Sequence, residues 1–334
     1  MWIRAAVTKA RGAPFAIERV ELEACKPDEI LVRVKAVGIC HTDEAAQMQH
    51  LPVPLPAVLG HEGAGVVEAV GAAVTECEPG DHVVMTYASC GKCGPCVGGR
   101  PYACEEMGAL NFMGVMPDGT RRLKLGGKAL ASFFSQSSFA THCVVKARNA
   151  VKVDDDLDFG LVAPFGCGVQ TGAGIVLNCL KPPFGSSIAV FGCGTVGMCA
   201  IMAARIAGCE KIIAVGGNPR SLALAAELGA THTVNRKETD DLAAAIRKIT
   251  GYGADYAIDT SGAEPMLRAA LDSLNYLGTL VMAGDGHTGR RLCRKDRARR
   301  QRRALGAESL YPQAARLLPR GAVSGRPADP LLSV

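Results

Sequence analysis

The stretch Ile188-Ala189-Val190-Phe191-Gly192-Cys193-Gly194-Thr195-Val196-Gly197 sets the class of the fold. Four apolar residues read as a short buried strand. Three glycines follow at the spacing G-x-G-x-x-G, and the apolar run from Val196 to about Ala207 reads as a helix. Lys211-Ile212-Ile213-Ala214-Val215 then reads as the next strand, so the glycines occupy the first turn of a βαβ unit. Gly192 makes the tight turn, Gly194 lets the backbone approach a pyrophosphate, and Gly197 lets helix pack close on strand. The free N–H groups at the helix start, around Thr195 and Val196, favour an anion. A plain βα turn is the bland alternative, and the strand–turn–helix context argues for a dinucleotide site.

Working downstream, Ser221–Leu228 reads as a helix capped by Gly229, Ala257–Thr260 as a strand end, Ala263–Leu274 as a helix and Thr279–Ala283 as a strand. Strand and helix alternate, which predicts a doubly wound parallel sheet, an α/β Rossmann domain, over residues 157–286. An NAD-preferring unit carries an acid at the end of its second strand, bonded to the ribose hydroxyls. Here Gly216 stands there, followed by Gly217, Asn218, Pro219 and Arg220. Loss of the carboxylate removes the repulsion against a 2′-phosphate, and Arg220 is placed to pair with one. These residues favour NADP over NAD, with a Gly216 that only loosens NAD binding as the alternative.

Working upstream, residues 1–156 change period. Ile30–Val37 alternates as a strand, as do Val66–Val70 and His82–Met85, the last entered through Pro79-Gly80-Asp81. This is a β-rich domain. Within it, Cys90, Cys93, Cys96 and Cys104 are spaced to close around one tetrahedral ion, a structural zinc with no open position. A second donor set is spread more widely: Cys40 in Gly38-Ile39-Cys40-His41-Thr42-Asp43, His61 and Glu62 in Gly60-His61-Glu62-Gly63, and Cys167 in Gly166-Cys167-Gly168. Two thiolates and an imidazole with one position left open make a catalytic zinc site.

Gly60-His61-Glu62-Gly63-Ala64-Gly65-Val66-Val67-Glu68-Ala69-Val70-Gly71 resembles the zinc signature of the medium-chain alcohol dehydrogenases, and the resemblance runs from about residue 3 to about residue 284. Ile39–Asp43, Asn111-Phe112-Met113-Gly114 and Ser132–Ala140 are most similar to the aryl-alcohol (benzyl alcohol) and allylic-alcohol branch. The resemblance implies a partly open GroES-like barrel for the first domain and hydride transfer between a primary alcohol or aldehyde and NAD(P). It implies one catalytic and one structural Zn2+. It implies that Glu62 lies near the catalytic zinc, that Asp43 orients the His61 ring, and that Thr42 carries the proton. His41 is implied as a pyrophosphate contact and Thr171 as a neighbour of the nicotinamide. A histidine relay three residues after Thr42 is missing, because that position is Ala45. Phe112, Phe133, Phe134 and Phe165 are candidates for an apolar pocket, although core packing accounts for any one of them equally well.

Composition bounds the rest. The 334 residues suffice for two domains, and 48% hydrophobic with 39 glycines fits a soluble α/β chain. No apolar run reaches membrane-helix length, and the start lacks a basic-then-apolar leader. Fourteen cysteines then point to reduced thiols and metal sites in the cytoplasm. The net charge of +5 is local: residues 287–334 hold 12 Lys and Arg against 3 Asp and Glu, and the remainder is net acidic. That stretch, with Arg294-Lys295-Asp296-Arg297 and Arg299-Arg300-Gln301-Arg302-Arg303, loses all periodicity. It reads as a disordered, frameshift-like tail rather than a nucleic-acid-binding arm, since no aromatics are interleaved. The expected partners are a small-molecule alcohol or aldehyde, no membrane and no nucleic acid, with a homo-oligomer if the C-terminus permits. A zinc-free quinone or enone reductase of the same fold stays open, as does an inactive truncated product.

Overall fold

A computed structural model of the chain describes residues 1–283. The stretch 287–334, read above as a tail, lies outside the described residues. The chain separates into two compact units, the first running from Met1 to Cys167 and the second beginning at Gly168.

The first unit holds two five-stranded antiparallel sheets. One has the order β4-β1-β2-β7-β8, with β1 at Trp2–Thr8, β2 at Ala16–Leu22, β4 at Ala57–Val58, β7 at Leu123–Leu125 and β8 at Lys128–Ala129. The other has the order β10-β6-β5-β3-β9, with β3 at Glu29–Gly38, β5 at Glu62–Val70, β6 at His82–Met85, β9 at His142–Lys146 and β10 at Ala150–Val153. Alternation decides which face each residue serves. Ile30 and Val32 of β3, with Cys143 and Val145 of β9, fill one core beside Val67, Val83 and Met85. Leu31 and Val144, one step out of phase, join Ile3, Val20 and Leu22 in the other. Short helices lie between the strands: α1 at His41–Gln47, α2 at Gly94–Val97 and α3 at Met107–Phe112.

Two buried charges tie this unit together. Arg122, just before β7, sends Nη2 to Glu29 Oε1 at 2.7 Å and Nε to Glu29 Oε2 at 3.2 Å. Its Nη2 also reaches Asp118 Oδ2 at 2.7 Å. Glu29 is fully buried and Arg122 nearly so. Such a pair persists only because each charge is matched by the other.

The second unit is an all-parallel sheet of order β13-β12-β11-β14-β15. Here β11 is Ser187–Phe191, β12 Lys211–Gly216, β13 His232–Asn235, β14 Ala254–Asp259 and β15 Leu274–Met282. The helices are α4 at Gly168–Gly174, α5 at Thr195–Ile206, α6 at Pro219–Leu228, α7 at Leu242–Thr250 and α8 at Glu264–Asp272. Both faces are covered, which is why Ile188–Phe191 of β11 and Ile212–Val215 of β12 are continuous apolar runs rather than alternating. Ile188, Val190, Ile212, Ala214 and Ile258 face one core, and Ala189, Phe191, Ile213, Val215 and Ala257 face the other.

The helix and strand expectations hold with shifted ends. The second strand extends one residue, to Gly216; the next helix starts two residues earlier, at Pro219; and the last strand starts at Leu274 rather than Thr279. Strand β13 and helix α7 escape the periodicity reading. His232-Thr233-Val234-Asn235 is an outer strand with one buried residue, Val234, and gives no apolar signal. Among the described residues no single helix is long and apolar enough to cross a membrane.

Candidate functional site

The widely spaced donor set closes within the first unit. Sulfur of Cys40, a ring nitrogen of His61, a carboxylate oxygen of Glu62 and sulfur of Cys167 all lie within 4.8 Å of one another. Helix α1 supplies the organiser. Its N-cap is Cys40, and Asp43, at the third position, turns back so that its Oδ2 accepts the Cys40 N–H at 3.1 Å. The other oxygen, Oδ1, accepts the Gly60 N–H and meets His61 Nδ1, both at 3.0 Å. One buried carboxylate therefore sets the backbone of Cys40, the approach to His61 and the ring of His61.

That bond commits Nδ1 of His61 and leaves Nε2 as the free ring nitrogen. Nε2 is buried and has no hydrogen-bond partner among the described residues. An unsatisfied buried polar atom costs about 1–3 kcal/mol. A metal cation between the two sulfurs and Nε2 removes that cost, so these residues fit zinc. The electrostatics agree. Burial opposes a charged His61, yet the Asp43 and Cys40 contacts raise its pKa to about 9. The hydrogen bond from Cys167 lowers Cys40 to about 3 against its burial. The same bond, then burial, pushes Cys167 far up. Cys40, His61 and Cys167 are thus driven apart in one buried cluster, as expected where negative donors crowd together and a cation would relieve them.

Glu62 is buried at the start of β5, its carboxylate packed against Gly38; a Cβ there would lie 2.0 Å from Glu62 Oε2. Thr42 is half-buried, with Oγ1 at 3.6 Å from Cys40 Sγ. His41 is exposed at the first position of α1.

Sequence reasoning missed how His61 is clamped. The ring of Phe134 stacks on the imidazole with centroids 4.4 Å apart and planes at 20°. Phe133 meets it edge-on at 5.5 Å, and Gln136 Nε2 donates to the His61 carbonyl at 3.0 Å. Phe134, Ser135 and Ser137 hold positive φ values of 53°, 51° and 55°, a region costly for residues with a Cβ. Buried side-chain bonds hold this turn: Ser137 Oγ accepts the Phe133 N–H at 3.0 Å, and Ser135 Oγ donates to Leu110 O at 2.6 Å. Of the four phenylalanines considered, Phe133 is fully buried core, Phe112 meets Phe134 edge-on at 5.3 Å, and Phe165 is 40% exposed.

Cys90, Cys93, Cys96 and Cys104 form the second cluster, all sulfurs within 4.8 Å. Backbone N–H groups aim at the sulfurs: Lys92 and Cys93 donate to Cys90 Sγ at 3.4 and 3.3 Å, and Cys90 to Cys104 Sγ at 3.3 Å. The donations from Lys92 and Cys93 lower Cys90 to about 6. Burial pushes Cys96 up to about 12.

In the second unit the glycine loop has the expected form. Gly192 has φ +107°, and a Cβ on Gly197 would stand 1.9 Å from Gly192 O, so helix and strand touch there. A Cβ on Gly194, the N-cap of α5, would meet nothing within 4 Å. The first and third glycines answer to the protein's own packing, and the second leaves room for a ligand. Thr195, Val196 and Gly197 open α5, and Thr171 is exposed on α4. Gly216 and Asn218 line a cavity of about 440 Å³ with Gly192, Cys193, Gly217, Ser221 and Arg236 among others. Asn218 caps α6, its Oδ1 accepting the Arg220 N–H at 3.0 Å. Arg220 is exposed on α6, and the cation that lines the cavity is Arg236.

Comparison with known proteins supports these observations. Residues 26–155 match the alcohol dehydrogenase GroES-like domain, and residues 195–316 match the zinc-binding dehydrogenase family. A geraniol dehydrogenase from Castellaniella defragrans is 46% identical over 283 residues, covering 84% of this chain and 76% of that one. An alcohol dehydrogenase zinc-binding domain protein from Burkholderia ambifaria superposes with a TM-score of 0.82 at 51% identity, over 86% of this chain and 78% of that one. Benzyl alcohol dehydrogenase from Acinetobacter calcoaceticus gives 0.80 at 44%, over 85% and 77%. The chain belongs to the zinc-dependent medium-chain alcohol dehydrogenases, a family of oxidoreductases, on the branch that includes these geraniol and benzyl alcohol enzymes.

Proposed function

We propose that this chain oxidises primary aryl or allylic alcohols to aldehydes, and runs the reverse reduction, with NADP taking or giving the hydride. Cys40, His61 and Cys167 would hold a catalytic zinc, with Glu62 beside it, and Cys90, Cys93, Cys96 and Cys104 a structural one. The observation that carries the reading is the buried, unpartnered Nε2 of His61 facing two cysteines and a carboxylate.

Zinc in this donor set supplies Lewis acidity that lowers the pKa of an alcohol hydroxyl. The protein's own groups do the rest. Asp43 fixes the ring of His61 so that Nε2 points into the cluster, and it fixes the Cys40 backbone at the same time. Thr42 Oγ1, close to the Cys40 sulfur, accepts the proton that the alcohol releases and passes its own outward. Ala45 carries no group to continue that relay through the protein. Phe134 covers one face of His61 and excludes water from it. The loop at Gly192, Gly194 and Gly197 receives the pyrophosphate against the start of α5. His41 and Thr171 are read as further cofactor contacts. Gly216, standing where NAD-preferring units carry an acid, supports the NADP reading.

The test measures zinc content and NADPH or NADH formation with benzyl alcohol on one preparation of the full chain. Two zinc ions and alcohol-dependent NADPH formation are expected. A folded, zinc-free protein, or one that reduces enones but leaves alcohols untouched, would overturn the proposal.

A further inference from the structure

The geometry points to Arg236 as the residue that binds the 2′-phosphate of the cofactor's adenosine ribose, and so sets the choice between the two nicotinamide dinucleotides. This rests on the dinucleotide reading above and names a residue that the sequence reading did not. Strand β13 pairs with β12 in parallel register, Gly216 opposite Asn235. The Arg236 N–H then donates to Gly216 O at 2.8 Å, which anchors its backbone beside the position of the missing acid. The side chain folds back over Gly217: a Cβ there would lie 2.8 Å from Nε and 3.3 Å from Cζ. Gly217 thus makes the room that the guanidinium occupies, at the edge of the cavity that Gly216 also lines.

The surroundings are those of an anion site. No carboxylate lies among the residues lining the cavity, and Arg236 has no ion pair among the described residues. Ser221 lines the same cavity on the first turn of α6, whose N-terminal dipole also favours negative charge. A planar guanidinium binds a phosphate monoester in bidentate fashion, which neither a ribose hydroxyl nor a neutral side chain can match. Arg220, the cation nearest in sequence, sits on α6 with its N–H taken by its own cap.

The test is calorimetric binding of adenosine 2′,5′-bisphosphate and of 5′-AMP, two probes that differ only in the 2′-phosphate. Wild type, Arg236→Gln and Arg236→Lys are compared, with melting curves to verify folding. Wild type should prefer the bisphosphate. Arg236→Gln should cut bisphosphate affinity by roughly 10- to 100-fold, the size of a lost charge-assisted pair, and leave 5′-AMP binding unchanged. Arg236→Lys should retain part of the preference. If wild type binds both probes equally, the NADP reading falls and this inference with it. If wild type prefers the bisphosphate and Arg236→Gln keeps that preference, only the assignment to Arg236 falls. An equal loss of both probes would mean that the guanidinium serves the adenine or the fold, and would also overturn it.

Discussion

The imidazole of His61 is packed face to face with the ring of Phe134, 4.4 Å between centroids, while Asp43 holds Nδ1 from the edge at 3.0 Å. One contact fixes the plane of the ring and the other its rotation within that plane. A ligand nitrogen aimed in both senses has little conformational freedom to lose on metal binding. Outer groups of this kind typically contribute 10- to 100-fold in metal affinity or activity. Phe134→Ala should therefore raise the rate of zinc loss to a chelator about 10-fold or more with only a modest change in melting temperature. Phe133→Ala should behave the other way round, since Phe133 is fully buried and its loss leaves a cavity costing about 3–5 kcal/mol. Chelator kinetics and melting curves on the two variants, read together, check the distinction. Equal zinc retention in Phe134→Ala and wild type would show that the stack is mere packing.

Thr42→Val keeps the shape of the side chain and removes the hydroxyl 3.6 Å from Cys40 Sγ. A general acid–base step is worth about 10²–10⁴-fold in rate, so kcat should fall within that range while zinc content stays at wild type. Near-normal kcat between pH 6 and 9 would remove Thr42 from the proton path.

The two cysteine clusters should come apart by mutation. Cys93→Ser breaks a closed four-sulfur set, so zinc should drop by one ion and the melting temperature should fall. Cys167→Ser should abolish turnover and leave the melting temperature close to wild type, because the two sheets of the first unit have cores that do not include Cys167. Elemental analysis with melting curves decides. If Cys93→Ser keeps both zinc ions, the structural role fails.

The membership of both side-chain clusters was legible in the sequence, because thiol and imidazole donors restrict residue type and the tight Cys90–Cys104 spacing restricts geometry further. The glycine loop was legible because Gly197 has no space for a Cβ against Gly192 O, a constraint one letter wide. What escaped depends on chain segments meeting across the fold. Phe134 reaches His61 through a turn of positive φ values at Phe134, Ser135 and Ser137, and none of those residue types signals such a turn. Arg236 follows a strand whose residues are mostly polar, and its neighbour Gly216 is twenty positions away in sequence. Arg220 is near Gly216 in sequence, whereas parallel pairing brings Arg236 beside it in space.

The buried pair Glu29–Arg122 predicts the acid limit of stability. Burial alone would raise the Glu29 pKa, but the Arg122 fork and the Lys26 N–H outweigh it and leave the carboxyl below its usual 4.5. Asp118 is held far below its ordinary value despite burial, by Lys26, Thr120 and Arg122. A folded-state pKa below the unfolded one adds stability that is complete above the unfolded value and lost as pH falls through the folded one. Wild-type stability should hold down to about pH 5 and decline below 4.5. Glu29→Gln leaves Arg122 with Asp118 as its one carboxylate partner among the described residues and should be less stable at pH 7, by up to about 3–5 kcal/mol. The gap between the two proteins should narrow as pH drops below 4.5. Urea unfolding from pH 7 to pH 3 measures both, and a constant gap would contradict the assignment.

Gly216→Asp restores the acid of an NAD-preferring unit, and the structure predicts that it will not act alone. A Cβ at 216 would stand 2.9 Å from Cys193 Sγ and 3.3 Å from Leu222 Cδ2, whereas Cys193 Cβ is at an ordinary 3.5 Å. The obstruction is therefore the sulfur, which also contacts Val215 O at 3.7 Å. Gly216→Asp by itself should weaken both cofactors, because Cys193 lies in the phosphate loop and must move to admit the new side chain. Adding Cys193→Ala removes the sulfur and leaves its Cβ at 3.5 Å, so that only the Leu222 methyl at 3.3 Å, the end of a flexible side chain, has to give by a few tenths of an ångström. In that double variant the carboxylate can accept from the two ribose hydroxyls and repel a 2′-phosphate. The ratio of kcat/KM for NAD over NADP should rise at least about 10-fold above wild type, while Cys193→Ala alone should leave the ratio unchanged. The four proteins assayed with both cofactors form a double-mutant cycle, in which contacting residues couple and independent ones add. A full shift towards NAD from Gly216→Asp alone would show that Cys193 yields freely. No shift in the double variant would mean that Gly216 does not set cofactor choice.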